Sequence, residues 1–382
     1  MGFTKMSEET AHAKLSASGS SIWINCPGSI KAQENYTNTS SSASEEGTAA
    51  HELAELCLTH GADPSTFVGT LSPSNFKILI DKEMAEHVQS YIDIINSVVG
   101  TKFYEQRVDF SDYALGGFGT ADCIVINDDD RVLSIIDLKY GKGHRVEAYH
   151  NTQLQLYALG ALADYGHIYE FDTVNLIIAQ PRLDNIGEWS TTPTELYKFG
   201  EFVKHQAELA LSDDAPRVPG ESQCQWCRAK HKCPELYQLT SDTLMSDFDN
   251  CDLKQVNTLS DAQLKKALDN SKLITSWLDA IESYVRDKIN NGDEFVGYKM
   301  VAGRSSRSWS NEEDAVKVLS EAYSKEELYE ESFITVAKAE KLLGKKNMGL
   351  LNDLVVKKDG KPTLVPNNDK RISIKISAND FD

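Results

Sequence analysis

The sequence lacks the features of a membrane-spanning or exported protein. No apolar run of about eighteen residues occurs in the chain, so no transmembrane helix is expected. Residues 1–21 contain no apolar core of a signal peptide, and we therefore expect a cytoplasmic protein. The chain has seven cysteines, an odd number in the absence of an export signal, so a disulfide framework is not expected either.

Positive charge is also scarce. The 58 acidic residues outnumber the 39 lysines and arginines, which gives a net charge of −19. Residues 251–382 are nearly balanced, with 22 acidic and 21 basic residues, so most of the surplus lies in residues 1–250. This distribution argues against binding of nucleic acid through phosphate contacts alone. It does not exclude a catalytic site in which carboxylates hold a divalent metal ion.

The hydrophobic pattern predicts an α/β core in the first half of the chain. Helical spacing before Gly61, and again over about 81–99, gives way to alternation with a period of two residues. Several strands around an intervening helix indicate a mixed central sheet flanked by helices. The predicted strands are 102–110, 119–127, 132–140 and 173–181, with a helix over 151–165 before the last strand.

A polar, acidic stretch separates this core from the rest of the chain. We expect a first domain over 1–238, a linker over 239–258 and a mainly helical C-terminal accessory domain over 259–375. An amphipathic pattern that starts at Leu259 predicts one long helix within the accessory domain. The acidic tail 376–382 is expected to be disordered.

The segment Asp137-Leu138-Lys139 is the strongest candidate for a reactive site. On a strand the side chains of Asp137 and Lys139 leave the same face, and Asp122 on the preceding strand can lie beside Asp137. Burial of such carboxylates is costly unless a hard divalent cation binds their oxygens. That cation would polarise a phosphate and activate water, which Lys139 would orient. The alternative is a strand end that reaches solvent, with Asp122 capping a turn.

Three other features favour a reactive site. Gln153 and Tyr157 lie four residues apart on the helix that follows the strand, and therefore on one face of it. His51, on an early helix, is either a metal ligand or a surface or packing residue. Gly119 stands three residues before Asp122 and allows close backbone approach at the site. A weaker candidate is Glu105, on the strand before Asp122, which either points into the same site or faces solvent.

Three cysteines are bunched late in the first domain. Cys224, Cys227 and Cys233 form a C-x₂-C-x₅-C pattern, which predicts ligation of zinc or of an iron–sulfur cluster. The spacing alone does not separate these two alternatives. We expect three further cysteines to be small buried residues: Cys57, Cys123 and Cys251.

Taken in order, these motifs resemble those of RecB-like nucleases in the PD-(D/E)XK superfamily. That set is a histidine, then G-x-x-D, then (D/E)-x-K, then Q-x-x-x-Y; here it is matched by His51, 119–122, 137–139 and 153–157. The resemblance implies a restriction-endonuclease-like core. It also implies Mg²⁺ or Mn²⁺ bound by His51, Asp122, Asp137 and the backbone carbonyl of Leu138, with Gln153 and Tyr157 supporting the active site and DNA.

The cysteines extend the resemblance to iron–sulfur nucleases such as the CRISPR-associated exonucleases. It implies that Cys26 joins Cys224, Cys227 and Cys233 around a [4Fe-4S] cluster that connects the two ends of the nuclease domain. Closure of so long a loop removes conformational entropy from the unfolded chain. Structural zinc remains the alternative.

The whole chain also resembles a phage and prophage family of uncharacterised proteins built on this core. The segments that carry this likeness are 15–29, 297–309 and 361–371. We therefore expect a metal-dependent deoxyribonuclease, an exonuclease of phage DNA replication or recombination, in the host cytoplasm with proteins of those processes as partners. The alternatives are a non-catalytic DNA-binding or scaffold protein that retains the fold, and a redox or sensing protein centred on the cysteines.

Overall fold

A computed structural model describes most of the chain. It covers residues 13–36, 41–73, 77–245, 261–324, 328–330 and 354–366, with the short stretches 332–333, 336, 338–339 and 372–373. The chain divides into two compact units, Met1–Trp277 and Leu278–Asp382. The division predicted at 239–258 stays a prediction. The tail predicted as disordered, 376–382, and Cys251 lie outside the described residues.

Four helices precede the sheet, and polar side chains fix where the two longer ones begin. The helices are α1 (Ser20–Trp23), α2 (Ser29–Gln33), α3 (Ser42–His60) and α4 (Lys82–Ser97). Ser41 accepts a hydrogen bond from the backbone of the first turn of α3, and Asp81 does the same for α4. Helix α3 ends at Gly61, whose φ of 65° suits a residue without a side chain. The predicted end at Gly61 is confirmed.

Five strands form one mixed sheet in the order β1-β2-β3-β4-β5. All neighbouring strands are antiparallel except β3 and β4, which are parallel and joined through helix α5 (Thr152–Tyr165). The predicted mixed sheet flanked by helices is therefore confirmed, with one additional strand, β5. The strands are β1 (Thr101–Asp109), β2 (Phe118–Asn127), β3 (Val132–Leu138), β4 (Thr173–Gln180) and β5 (Asn185–Thr191).

Helices cover both faces of the sheet, because alternate side chains of the central strands are apolar on both sides. On one face, Ile135 of β3 packs with α5, α1 and α6 (Pro193–Leu211). On the other face, Ile136 packs with α3 and α4. The sheet is thus the middle layer of three, and its central strands are shielded from water apart from their ends.

The next three α-helices of the described chain follow α6. They are α7 (Glu221–Gln225), α8 (Pro234–Met245) and α9 (Asp261–Asn290). A small separate core joins them, in which Leu273 of α9 packs against Leu236 of α8 and Cys224 of α7. No helix among the described residues is long and apolar enough to cross a membrane.

The C-terminal unit contains strands as well as helix in its described part, and the mainly helical domain predicted over 259–375 stays a prediction. Its largest element is an antiparallel pair of twelve-residue strands, β6 (Tyr298–Trp309) and β9 (Val355–Pro366). Pairing between segments this far apart in the chain leaves no local signal, and the Gly, Ser and Arg of β6 are typical of a loop. Helix α10 (Glu312–Ser320) and two short strands, β7 (Tyr329–Glu330) and β8 (Ser332–Phe333), lie between them in sequence.

Candidate functional site

The candidate site lies where β2 and β3 meet at one end of the sheet. The ladder between these strands ends with Cys123 opposite Ile136, so Asp122 and Asp137 occupy the next positions. The backbone N–H of Leu138 donates a 2.7 Å hydrogen bond to Oδ2 of Asp122. The two aspartates predicted to lie together therefore do so. Lys139 follows directly, with its N–H bonded to the carbonyl of Ala179 on β4.

A hydrogen-bonded network links β3 to the first turns of α5. The Nζ of Lys139 lies 2.8 Å from Oδ2 of Asp137 and donates to Oε1 of Gln153 at 2.9 Å. The amide nitrogen of Gln153 donates to Oδ1 of Asp137 at 3.1 Å and to the hydroxyl of Tyr157 at 3.0 Å. Asn151 caps α5 and accepts from the backbone N–H of Gln153, which fixes the place of Gln153 in the first turn of the helix. All four predicted side chains belong to one network.

His51 enters the site from the opposite layer, on α3. Its Nδ1 lies 3.5 Å from Oδ1 of Asp122. The position is partly shielded, since 34% of the His51 side chain and 12% of the Asp122 side chain are exposed. The histidine and the first aspartate of the predicted set are therefore in contact, and solvent reaches the histidine.

The side chain of Glu105 points into the site and is not directed only toward solvent. Side chains along a regular strand alternate between faces, so residues three apart point to opposite faces. Ala121 and Ile124 of β2 are three apart, yet they pack in the same core. The strand is irregular between them, where Asp122 stands opposite Glu105, a residue with a φ of 47°. Such backbone strain in a non-glycine residue is typical of functional sites. The irregularity brings ligand atoms of His51, Glu105 and Asp122 within 4.8 Å of one another.

Opposite charges offset the burial of His51 and Asp122. Burial alone would lower the pKa of His51, but the Asp122 carboxylate raises it to about 9. Burial alone would raise the pKa of Asp122, but the positive charges of His51 and Lys139 and the N–H of Leu138 hold it below its usual value. Near neutral pH this pair is therefore a histidinium and a carboxylate, whose attraction replaces lost hydration.

Asp137 and Glu105 are the carboxyl groups whose charged forms are disfavoured by this crowding, and the pKa of each is raised. Burial, together with the neighbouring charge of Asp122, raises the pKa of Asp137 despite the attraction of Lys139. Burial and repulsion from Asp122 also raise the pKa of Glu105, to about 7. Burial would lower the pKa of Lys139, but Asp137 and Asp122 raise it. Three carboxyl groups with two cationic partners leave the site short of positive charge.

Tyr91 of α4 is a site residue that the sequence does not reveal. The side chain is 1% exposed, and its hydroxyl has no hydrogen-bond partner among the described residues. Burial, and then the nearby charge of Asp122, raises the pKa of Tyr91 well above its usual value, so the hydroxyl keeps its proton. A tyrosine on an amphipathic helix is ordinary in sequence. Only the packing of α4 against the sheet brings it near the carboxylates.

Gly119, the first residue of the predicted G-x-x-D motif, is required by Tyr157. A Cβ atom on Gly119 would lie 2.7 Å from Cε1 of the Tyr157 ring and 3.3 Å from Cβ of Ala17. The glycine therefore lets the ring lie against β2 while the Tyr157 hydroxyl accepts from Gln153. The prediction that this glycine permits close approach at the site agrees with this packing.

Arg182, just after β4, ties both helices of one layer to the strand that ends at the site. Its guanidinium contacts Glu46 of α3 and Glu83 of α4, each at 3.0 Å, and stacks on the Tyr140 ring at 4.7 Å. Only 9% of the Arg182 side chain is exposed. Because Glu46 lies on the helix that carries His51, this clamp helps to fix the position of His51 relative to the sheet.

The four cysteines of the predicted cluster line one pocket. They come from both ends of the first unit and are Cys26, Cys224, Cys227 and Cys233. The other residues that line the pocket include Arg217 and Lys230. The two ends also bond directly, since Gly28 N–H donates to the Pro216 carbonyl at 2.8 Å. Cys57 and Cys123, by contrast, are buried elsewhere as predicted, with 2% and 0% exposed.

Backbone donors face two of these sulfur atoms. The N–H of Val218 lies 3.2 Å from Sγ of Cys26, and the N–H of Gly220 lies 3.4 Å from Sγ of Cys224. Burial raises the pKa of all four thiols, and repulsion among the sulfurs adds to it; for Cys227 the value reaches about 11. Without a bound cation the four groups are thus neutral thiols, and a metal would be needed to hold them as thiolates.

Comparison with known proteins gives a family and a distant structural likeness. A family model described as "Protein of unknown function (DUF2800)" matches residues 12–372. The crystal structure of a "Putative exonuclease" from Eubacterium rectale is similar to 57% of this chain and 96% of that chain, with 12% identity and a TM-score of 0.32. A likeness at that TM-score does not establish a common fold, so it supports no conclusion about activity.

Replacement of the buried clamp is expected to destabilise the protein more than replacement of an exposed counterpart. Arg182→Met removes two ion pairs and a stacked guanidinium from a shielded position, and we expect the free energy of unfolding to fall by about 1–3 kcal/mol. Arg131→Met is the matched control, because Arg131 also contacts two carboxylates, Glu170 and Asp172, but has 45% of its side chain exposed. It should cost less than about 1 kcal/mol. Equal losses in urea unfolding would contradict the clamp.

Proposed function

The chain belongs to the DUF2800 family, and we propose that it is a divalent-metal-dependent nuclease that hydrolyses phosphodiester bonds in DNA. The observation that carries the proposal is the convergence of His51, Glu105 and Asp122 within 4.8 Å, next to the Asp137–Lys139 pair. Carboxylate and imidazole ligands beside a lysine suit the attack of water on a phosphodiester.

The residues present fit a divalent cation. Oδ2 of Asp137 is buried, and although Lys139 Nζ is 2.8 Å away, no described donor approaches this oxygen in hydrogen-bond geometry. The repulsion that raises the pKa of Glu105 and Asp137 is the kind that a cation would relieve. Hard oxygen donors favour Mg²⁺ or Mn²⁺. We assign His51, Glu105, Asp122 and Asp137 as the ligands, with the backbone carbonyl of Leu138 as a further one.

Each of the other side chains has a separate task. The bound cation would supply Lewis-acid stabilisation of the phosphate and a lower pKa for the attacking water. Lys139 orients that water and offsets negative charge that develops on the phosphate. Gln153 holds Lys139 and Asp137 in place, and Tyr157 supports Gln153.

The finer assignments depend on motif order and strand context. His51, Gly119 with Asp122, Asp137 with Lys139, and Gln153 with Tyr157 follow the order of the RecB-like PD-(D/E)XK nucleases, and we assign the chain to that class. Exonuclease action, a role in phage DNA replication or recombination, and partners from those processes follow from the same resemblance. So does location in the host cytoplasm.

A non-catalytic DNA-binding or scaffold protein is the alternative function. The strained backbone of Glu105 and the burial of the Asp137 carboxylate speak against it. A protein that only bound DNA would gain nothing from these costs, and substitution by neutral residues would relieve them. This alternative predicts a DNA complex that stays intact in the presence of Mn²⁺.

We also propose that the four-cysteine pocket holds a [4Fe-4S] cluster. Four cysteine side chains suit either such a cluster or zinc. The backbone N–H groups of Val218 and Gly220 face two of the sulfurs, and hydrogen bonds to sulfur tune iron–sulfur clusters, which supports this assignment. The cluster would hold the Cys26 segment against residues 216–233.

Loss of Lys139 is the direct test of the active site. We expect Lys139→Ala to reduce the rate of Mn²⁺-dependent cleavage of end-labelled DNA by roughly 10²- to 10⁴-fold, because water and phosphate lose their positioned cation. Lys102→Ala is the matched control, since Lys102 is a partly buried lysine on β1 whose Nζ bonds only a backbone carbonyl in the hydrogen-bond network described. It should leave the rate unchanged. If Lys139→Ala cleaves as fast as the parent, the assigned site is wrong.

The metal content of anaerobically purified protein tests the cysteine pocket. We expect about four iron and four acid-labile sulfide atoms per chain, with visible charge-transfer absorbance that is lost in Cys224→Ser. Cys57→Ala is the control, because Cys57 is buried outside the pocket, and its iron content should match the parent. A colourless protein with one zinc would overturn the iron–sulfur assignment. Cluster loss without any change in cleavage would count against a redox or sensing role for the cluster in this activity.

A further inference from the structure

The loop between β3 and α5 begins and ends at the candidate site. Lys139 stands at its start, and Gln153 lies just after its end. Two polar side chains that are almost fully buried, Gln180 and Asn185, hold the loop against β4 and β5. Gln180 Nε2 donates to the carbonyls of Gly141 and His144, each at 2.7 Å. The loop is thus fixed by buried hydrogen bonds and presents a preformed surface.

An aromatic cluster lies at the end of this loop, in which Tyr149 and His150 are exposed and Trp189 is half-buried. The rings of Tyr149 and His150 are 4.3 Å apart, and that of Trp189 on β5 is 4.5 Å from His150 and 5.4 Å from Tyr149. Tyr149 is 68% exposed, although burial of its ring would be favourable. His150 has a φ of 51°, so the backbone is strained where it presents these rings.

The cluster is close to the carboxylates without being part of their network. Trp189 pairs with Leu176 on β4, and β4 lies beside β3. Since neighbouring strands are about 4.8 Å apart, the β5 backbone lies roughly 10 Å from that of β3. An extended single strand of DNA spans that distance in a few nucleotides or fewer. A strand bound at the carboxylates would therefore have the aromatic rings within its reach.

A second aromatic pair continues the surface toward the cysteine pocket. Trp226, between two of the clustered cysteines, is 61% exposed, and its ring packs edge-on against His144 at 5.5 Å. The Nε2 atoms of Gln225 and His144 are 3.4 Å apart. The loop also carries Lys142 and Arg145, in a half of the chain that is otherwise strongly acidic. Arg145 pairs with the loop's single acidic residue, Glu147, at 3.0 Å, which leaves Lys142 as the surplus cation.

We propose that Tyr149, His150 and Trp189 form a stacking surface for the unpaired bases of single-stranded DNA, which the pair His144–Trp226 extends. This inference rests on the proposed nuclease function. Exposed aromatic faces bind bases of any sequence, and they do so when those bases are not already stacked in a duplex. Lys142 on the same loop suits the phosphates that connect the bases. The surface would select strands, or strand ends, whose bases are free.

Fluorescence anisotropy with three probes tests this surface. The full-length chain with Lys139→Ala and Mn²⁺ is titrated with a labelled oligothymidylate of about 20 nucleotides, its abasic counterpart and a duplex of equal length. We expect the oligothymidylate to bind most tightly, and addition of Tyr149→Ala to weaken its binding by roughly tenfold. Tyr149→Phe should retain binding, and Tyr149→Ala should leave abasic binding unchanged, since no bases are present to stack.

Tyr197→Ala supplies the matched control, because Tyr197 of α6 is also exposed, at 47%, but takes part in none of the ring contacts of this cluster. Circular dichroism checks that every variant is folded. Equal weakening for thymidylate and abasic probes, no weakening by Tyr149→Ala, or equal affinity for duplex would each overturn the stacking surface. Failure of the nuclease proposal has a different signature, because parent protein with Mn²⁺ would then leave every probe intact whatever its affinity.

Discussion

The burial of charge at the end of β2 and β3 constrains the rest of the first unit. Asp137 is 1% exposed and survives there because Lys139 lies 2.8 Å from its carboxylate. Lys139 in turn is held by Gln153 of α5, while Asp122 is held by His51 of α3. Helices on opposite faces of the sheet therefore have to meet the same two strand ends. Displacement of either helix would leave a charge without its partner, which costs several kcal/mol in a shielded position.

The sequence predicts the parts of this arrangement that depend on local spacing. Alternation along β2 and β3 places the two aspartates and Lys139 together, and the four-residue interval on α5 places Gln153 with Tyr157. Strand β5 is missed, because only one face of this edge strand is covered and its sequence is mostly polar. The orientation of Glu105 depends on a strand irregularity that has no sequence signature. Arg182 acts through two helices that precede it by roughly a hundred residues or more, and no local pattern reveals such a contact.

The cysteine pocket can also be predicted from the sequence only in part. The interval between Cys224 and Cys227 indicates a metal site from local sequence alone. Cys26 joins it only because the chain between them folds into a sheet and returns, and its assignment from sequence depends on resemblance. The contact between His144 and Trp226 then links the pocket to the loop that starts at Lys139. A cofactor that joins the Cys26 segment to residues 216–233 would thus also hold one side of the candidate site in place.

The central claim is that the converging carboxylates and His51 bind a divalent cation. Isothermal titration of metal-free protein with Mn²⁺, without DNA, measures this directly. We predict that the parent protein binds Mn²⁺ and that Asp122→Asn binds it about tenfold more weakly or worse. The substitution removes the carboxylate charge that contacts both His51 of α3 and the backbone N–H of Leu138. Asp128→Asn, at the exposed turn between β2 and β3, should bind as the parent does. Equal Mn²⁺ affinity in Asp122→Asn and the parent would contradict the account.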